Sequence, residues 1–218
     1  MMKVRTEPYF NKNSNFMQNT ISLTKSLKMF LKTRDNISFG KQQTFYVIRK
    51  LFKYFKTIKI ELIMLLKVGN QAPDFKLFSS DKKEVNLVDY RGKNVVILFF
   101  PMAFTGVCTA ELCQMRDNIA TYSNLNADIL GISVDSIFTL GKFKAEQNLP
   151  FPLLSDFNKE TSQAFGAFYE TFVFGMHGVS KRSAFVVDKE GVIQYAEVLE
   201  SAGNLPNFEA VKTTLESL

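Results

Sequence analysis

Residues 94–108 read Asn94-Val95-Val96-Ile97-Leu98-Phe99-Phe100-Pro101-Met102-Ala103-Phe104-Thr105-Gly106-Val107-Cys108. The run from Val95 to Phe100 is apolar without alternation, which marks a strand buried on both faces. Pro101 closes it. A helix is predicted from about Thr105 to Tyr122, with Leu112, Met115, Ile119 and Tyr122 on one stripe. Ala127 to Val134 reads as a second buried strand and Ser136 to Gln147 as a second helix. Strand, helix and strand in that order imply a parallel pair joined by a right-handed crossover. Val107-Cys108 sits where the first strand hands over to its helix, at the edge where open α/β sheets place their ligands.

On the N-terminal side, Phe75 to Phe78 and Glu84 to Leu87 flank Ser79-Ser80-Asp81-Lys82-Lys83 and read as a hairpin. On the C-terminal side, Ser183 to Val187 and Val192 to Ala196 flank Asp188-Lys189-Glu190-Gly191, a second hairpin. A last helix is predicted from Asn207 to Ser217. The plan is βαβ followed by ββα around a central mixed sheet flanked by helices, that of a thioredoxin-like α/β fold. The sequence contains neither an internal repeat nor a nucleotide-binding glycine loop.

The 218 residues divide electrostatically. Residues 1–63 carry thirteen Lys/Arg against three Asp/Glu, whereas residues 64–218 carry fourteen against eighteen. The net +6 of the whole chain thus comes from a leader of +10 ahead of a domain of −4. The acidic domain is not expected to bind nucleic acid. Residues 1–43, rich in Asn, Lys, Ser and Thr, read as poorly ordered. Within 45–62, Phe45, Ile48, Leu51, Phe52, Phe55, Ile58 and Leu62 recur at helical steps with lysines between them. That is a basic amphipathic helix of the kind that lies on an anionic membrane surface. The leader reads either as such a targeting element or as an extension upstream of a start at Met64; the domain itself is 64–218. The longest uncharged run, Asn94 to Ala110, is 17 residues, short of the roughly 20 needed to span a bilayer. Two cysteines and one histidine exclude a disulfide-stapled scaffold and argue against a built-in zinc site.

Cys108 lies three residues after Thr105, a candidate N-cap, so its sulfur falls in the first helical turn near unpaired N–H groups. A free thiol is only a few per cent thiolate at pH 7, and holding it mostly ionised takes roughly 3.4 kcal/mol. A helix dipole supplies about 0.3–1 kcal/mol, or about 2 in good geometry, so a cation is needed as well. The domain has three arginines. Arg91 precedes the strand that Pro101 ends and lies at the far end of the sheet, and Arg116 is two turns along the helix. If the strand 183–187 runs antiparallel to 94–100, Arg182 arrives beside Cys108. Glu111, one helical turn on, can accept from that guanidinium and orient it.

Pro101, Thr105 and Cys108, read as P-x-x-x-T-x-x-C after a buried strand, resemble the active-site signature of the peroxiredoxins. The resemblance takes in Ala72-Pro73-Asp74-Phe75, Glu111, and Arg182 ahead of the strand ending Val187-Asp188. It implies a thiol-specific peroxidase that reduces hydrogen peroxide and organic hydroperoxides through a cysteine sulfenic acid. In it, Cys108 would be the peroxidatic thiolate. Thr105 and the backbone N–H groups of Val107 and Cys108 would hold the peroxide, Pro101 would shield the sulfur, and Arg182 would bond sulfur and peroxide. The resemblance implies no metal, flavin or haem cofactor. It implies thioredoxin or a similar dithiol as reductant, for a monomer or a homodimer. With no secretory signal read in the leader and a reactive thiol that needs reductant, the cytoplasm is the expected setting.

Cys113 stands five residues after Cys108, about 8.7 Å away between Cα atoms on an ideal helix, while disulfides rarely span more than about 7 Å. The C-x₄-C spacing resembles Q-type (bacterioferritin-comigratory-protein) peroxiredoxins, in which the second cysteine resolves the sulfenic acid. Phe104-Thr105-Gly106 and Glu111-Leu112 look more like the one-cysteine group similar to alkyl hydroperoxide reductase E. A resolving Cys113 requires the helix to unwind. Two other readings are a thiol–disulfide oxidoreductase using Cys108 and Cys113, and a redox sensor held at a membrane by residues 45–62. His177 is expected in a solvated loop, and the Phe-rich stretch 165–174 in the core or a subunit contact.

Overall fold

The computed structural model of the chain describes residues 68–218. The expectations for the leader 1–63, including the amphipathic helix at 45–62, fall outside the described residues. A seven-stranded mixed sheet forms the centre. Its strands are β1 (Lys76–Ser79), β2 (Glu84–Asn86), β3 (Asn94–Phe99), β4 (Ala127–Ser133), β5 (Leu153–Ser155), β8 (Ser183–Val187) and β9 (Ile193–Val198), in the order β2-β1-β5-β4-β3-β8-β9. A separate two-stranded sheet pairs β6 (Phe168–Thr171) with β7 (His177–Ser180). The helices are α1 (Gly106–Asp117), α2 (Ile119–Asn124), α3 (Ile137–Glu146), α4 (Glu160–Ala164) and α5 (Phe208–Glu216).

The unbroken apolar run of β3 is explained by two cores. Val96, Leu98 and Phe100 point to the face covered by α1, α3 and α5, where they pack with Leu112, Met115, Leu140, Phe143, Val211 and Leu215. Val95, Ile97 and Phe99 point to the other face, among Phe75, Leu87, Leu130, Phe165 and Phe185. Successive strand residues alternate sides, so a strand covered on both sides must be apolar throughout. β3 and β4 are parallel in the register Ile97 to Leu130, as the crossover rule requires. β3 and β8 are antiparallel, with Phe99 opposite Ser183. That register sets the start of β8 beside the end of β3.

The sequence reading missed a second βαβ unit. β5 has three residues directly after Pro152 and lies parallel to β4, so α3 is itself a crossover helix. The helix expected over 105–122 is two helices. The chain turns at Asn118 (φ −106°, ψ 12°), whose side-chain amide donates to the Gln114 carbonyl at 2.8 Å and competes with the helical ladder. α3 begins where expected: Ser136 is its N-cap and accepts from the Thr139 N–H. Gly131 of β4 makes room for close packing, since a Cβ there would come within 2.7 Å of Leu153 Cδ2 and 3.4 Å of Phe100. The Phe-rich stretch divides. Phe165 and Ala167 are core, whereas Phe174 at the tip of the small sheet is 97% exposed. Among the described residues, no helix is long and apolar enough to cross a membrane.

Candidate active site

Cys108 occupies the third position of α1 and is 1% exposed. Its Sγ accepts a hydrogen bond from Arg182 Nη2 at 3.3 Å. Arg182 arrives in the two-residue link between β7 and β8, where the antiparallel register carries it, and its side chain is 1% exposed. All three guanidinium nitrogens donate. Nη1 donates to Glu111 Oε2, while Nε and Nη2 donate to the Ala202 carbonyl at 3.1 and 2.9 Å. The fixed donor fork of arginine lets one side chain serve sulfur, carboxyl and carbonyl together, which a lysine cannot do.

Glu111 is fully buried, and its Oε1 has no hydrogen-bond partner among the described residues. Burial pushes its carboxyl up to about 8, although the charge and hydrogen bond of Arg182 pull it down. Burial alone would lower the guanidinium, but Glu111 and Cys108 outweigh it and raise it, so Arg182 stays charged. The site thus presents a permanent cation against the sulfur, backed by a carboxyl group inside the protein.

Thr105 is the N-cap residue of α1, but its hydroxyl does not cap the helix. Oγ1 donates instead to the Met102 carbonyl at 3.0 Å, while the Thr105 carbonyl receives the Thr109 N–H. The exposed Thr105 therefore stands in front of a helix start whose first N–H groups are not occupied by a capping side chain. Pro101 is buried at the base of the loop. Between them Phe104 adopts φ +64°, a left-handed conformation uncommon for an aromatic residue, and lays its ring 5.0 Å from that of Phe143 on α3. Pro101, Thr105, Cys108, Glu111 and Arg182 thus lie where the end of β3, the start of α1 and the start of β8 meet.

Cys113 is not brought to Cys108. Both thiols are free, and the intact helix α1 separates them. Cys113 Sγ lies 3.6 Å from Gln147 Oε1 at the end of α3. Arg116, which the sequence reading set aside, donates through Nη1 to the Gln147 carbonyl and interacts electrostatically with Cys113. Its place one turn after Cys113 was the signal that could have found it. His177 is exposed as expected, but it opens β7 rather than sitting in a loop, with Nδ1 3.1 Å from the Glu170 carbonyl. Among the described residues, no group of three or more His, Cys, Asp or Glu converges as a metal site.

The AhpC/TSA family model matches residues 68–196, more than half of the chain. The chain belongs to the AhpC/TSA family. It is 42% identical over 137 residues to alkyl hydroperoxide reductase E of Mycobacterium tuberculosis, a match covering 62% of this chain and 86% of that relative. It is 40% identical over 129 residues to peroxiredoxin Bcp of Bacillus subtilis, covering 59% and 82% of the two chains. Among solved structures, peroxidoxin BcpB from Mycobacterium tuberculosis superposes with a TM-score of 0.63 at 27% identity, covering 70% of this chain and 98% of that one. Peroxiredoxin Q of Xanthomonas campestris superposes at 0.60 with 28% identity, covering 70% and 96%. The mixed sheet flanked by helices is that of the thioredoxin-like peroxiredoxins, as the sequence led us to expect. The protein is accordingly an antioxidant peroxidase, an oxidoreductase that takes a peroxide as substrate and a thiol as reductant.

Proposed function

We propose that Cys108 is the peroxidatic residue and that the protein reduces hydrogen peroxide and organic hydroperoxides. The observation that carries this reading is the charged Arg182 donor 3.3 Å from a sulfur held in the first turn of α1. A charge-assisted donor favours the anionic sulfur, which is the nucleophile. Thiolate attack on the nearer peroxide oxygen forms an S–O bond and breaks the O–O bond. The sulfur becomes a sulfenic acid, and the leaving oxygen departs with a proton as water or an alcohol. The hydroxyl of Thr105 and the N–H groups of Val107 and Cys108 orient the peroxide and meet the charge that develops on the leaving oxygen. Pro101 keeps water from the sulfur, and Glu111 holds the guanidinium in position.

Cys113 is the candidate resolving thiol. Its attack on the sulfenic acid forms the disulfide and releases water, and thioredoxin or a similar dithiol then returns two electrons. That step needs the first turns of α1 to unwind, because the cysteines stand further apart on the helix than a disulfide spans. If Cys113 does not resolve, an external thiol attacks the sulfenic acid directly. The protein works as a monomer or homodimer in the cytoplasm, with residues 64–218 as the catalytic domain.

The test is peroxide consumption by the Cys108→Ser variant with a dithiol reductant. Activity is expected to vanish while the fold persists. A variant that still consumed peroxide at the wild-type rate would overturn the assignment.

A further inference from the structure

The loop from Pro101 to Thr105 carries the hydroxyl that faces the peroxide, yet only one bond internal to the loop, from Thr105 Oγ1 to the Met102 carbonyl, steadies it. Among the described residues, one side chain from outside bonds its backbone. Asp135 Oδ2 accepts the Ala103 N–H at 2.8 Å. Asp135 stands two residues beyond β4, thirty-two positions along the chain, and is itself fixed on three sides. Ser133 Oγ donates to the same Oδ2 at 2.6 Å and accepts the Asp135 N–H at 3.0 Å, while Ser155 Oγ donates to the Asp135 carbonyl at 2.6 Å. Ser133 is fully buried and ends β4, and Ser155 ends β5. The carboxylate is therefore mounted on the rigid ends of two central strands.

We propose that Asp135 is a positioning residue for the peroxide step: by accepting the Ala103 N–H it sets the Pro101–Thr105 loop so that Thr105 meets the substrate at α1. The inference rests on the roles given above to Cys108 and Thr105. Phe104, next after Ala103, holds a left-handed φ of +64°. Such a conformation persists only where its surroundings over-determine it. Two anchors do so here, Asp135 on the Ala103 N–H and the Phe143 ring against the Phe104 ring. Releasing the first lets the Met102–Ala103 peptide rotate, and with it the Met102 carbonyl that receives the Thr105 hydroxyl, which carries Thr105 out of line. A displacement of about 1 Å at a reacting group costs on the order of a hundredfold in rate. What the loop needs is an acceptor oxygen at one point in space, and the negative charge is incidental.

That distinction sets the experiment. The full-length chain and its D135A, D135N and D135E variants are reduced, mixed with hydrogen peroxide and quenched with acid at short times, and oxidation of Cys108 is followed by peptide mass. Labelling of Cys108 by iodoacetamide is measured alongside. D135N keeps an acceptor oxygen and is expected within about threefold of wild type. D135E keeps the charge but moves the oxygen by a methylene, and D135A removes it; both are expected to slow Cys108 oxidation about 10- to 100-fold. Iodoacetamide labelling, which needs no peroxide alignment, is expected to stay within about threefold throughout. The inference is overturned if D135E reacts like wild type while D135N is slow, or if labelling changes in step with peroxide oxidation. Should D135A fail to fold, the D135N and D135E pair decides alone. Should wild-type Cys108 not oxidise at all, the earlier assignment of Cys108 fails rather than the role of Asp135.

Discussion

Replacing Arg182 with Met leaves the aliphatic stem in place and removes every donor. In the structure those donors serve Cys108 Sγ, Glu111 Oε2 and the Ala202 carbonyl. A hydrogen bond from a charged donor contributes about 1.5–3 kcal/mol, and at about 1.36 kcal/mol per tenfold in rate the attack on peroxide should slow about 10- to 150-fold. Stability falls as well, because Glu111 is fully buried and its other oxygen already lacks a partner among the described residues. Leaving a buried carboxyl without its donor costs about 1–3 kcal/mol, and more where the group is ionised. The double variant Glu111→Gln with Arg182→Met separates the two effects. It buries no charge, so it should regain stability over Arg182→Met while remaining as slow. The chain contains no tryptophan, so the rate is best read by acid quench and mass rather than by indole fluorescence. A rate for Arg182→Met within twofold of wild type would refute the reasoning, as would a double variant that recovered rate together with stability.

Two further outcomes follow from the packing and the buried carboxyl. Because the folded state raises Glu111 from its ordinary 4.5 to about 8, the folded chain keeps a proton there that the unfolded chain has released. That contribution to stability is complete below about pH 4.5 and is lost as the pH rises towards 8, at no more than about 1.4 kcal/mol per pH unit. Urea unfolding of wild type against Glu111→Gln from pH 5 to 9 should therefore show wild type losing ground, and a gain with rising pH would contradict the sign. Gly131→Ala places a methyl group 2.7 Å from Leu153 Cδ2 in a closed core. It should cost about 1–3 kcal/mol by overpacking, read as a lowered urea midpoint, and an unchanged midpoint would mean that Leu153 moves freely.

The parts of the fold legible in the sequence are those where one physical cause dominates. The β3 run is apolar because two cores cover it, and Ser136 announces α3 because its hydroxyl caps that helix. Arg182 could be placed beside Cys108 because an antiparallel partner leaves its start no other position. The elements that escaped are short or set by tertiary contacts. β5 has three residues and α4 five, too few to display a period. The break at Asn118 depends on a side chain competing for one carbonyl, and the unused cap at Thr105 on a hydroxyl that turns back to Met102. Asp135 looks like an ordinary turn residue after a strand until the fold brings Ala103 against it. The complete burial of Glu111 was equally invisible, since a helix-face carboxylate is usually solvated.

The central claim is that Cys108 is the atom peroxide oxidises. Its most direct test is the mass of the fully reduced chain after one equivalent of hydrogen peroxide, with the modified residue located by peptide mapping. The account predicts modification at Cys108, either as a gain of about sixteen mass units with Cys113 still free or as a loss of about two in a Cys108–Cys113 disulfide. The first result makes this a one-cysteine peroxidase awaiting an external thiol, and the second shows that α1 unwinds to let Cys113 resolve. Consumption of the peroxide with Cys108 left reduced would contradict the account.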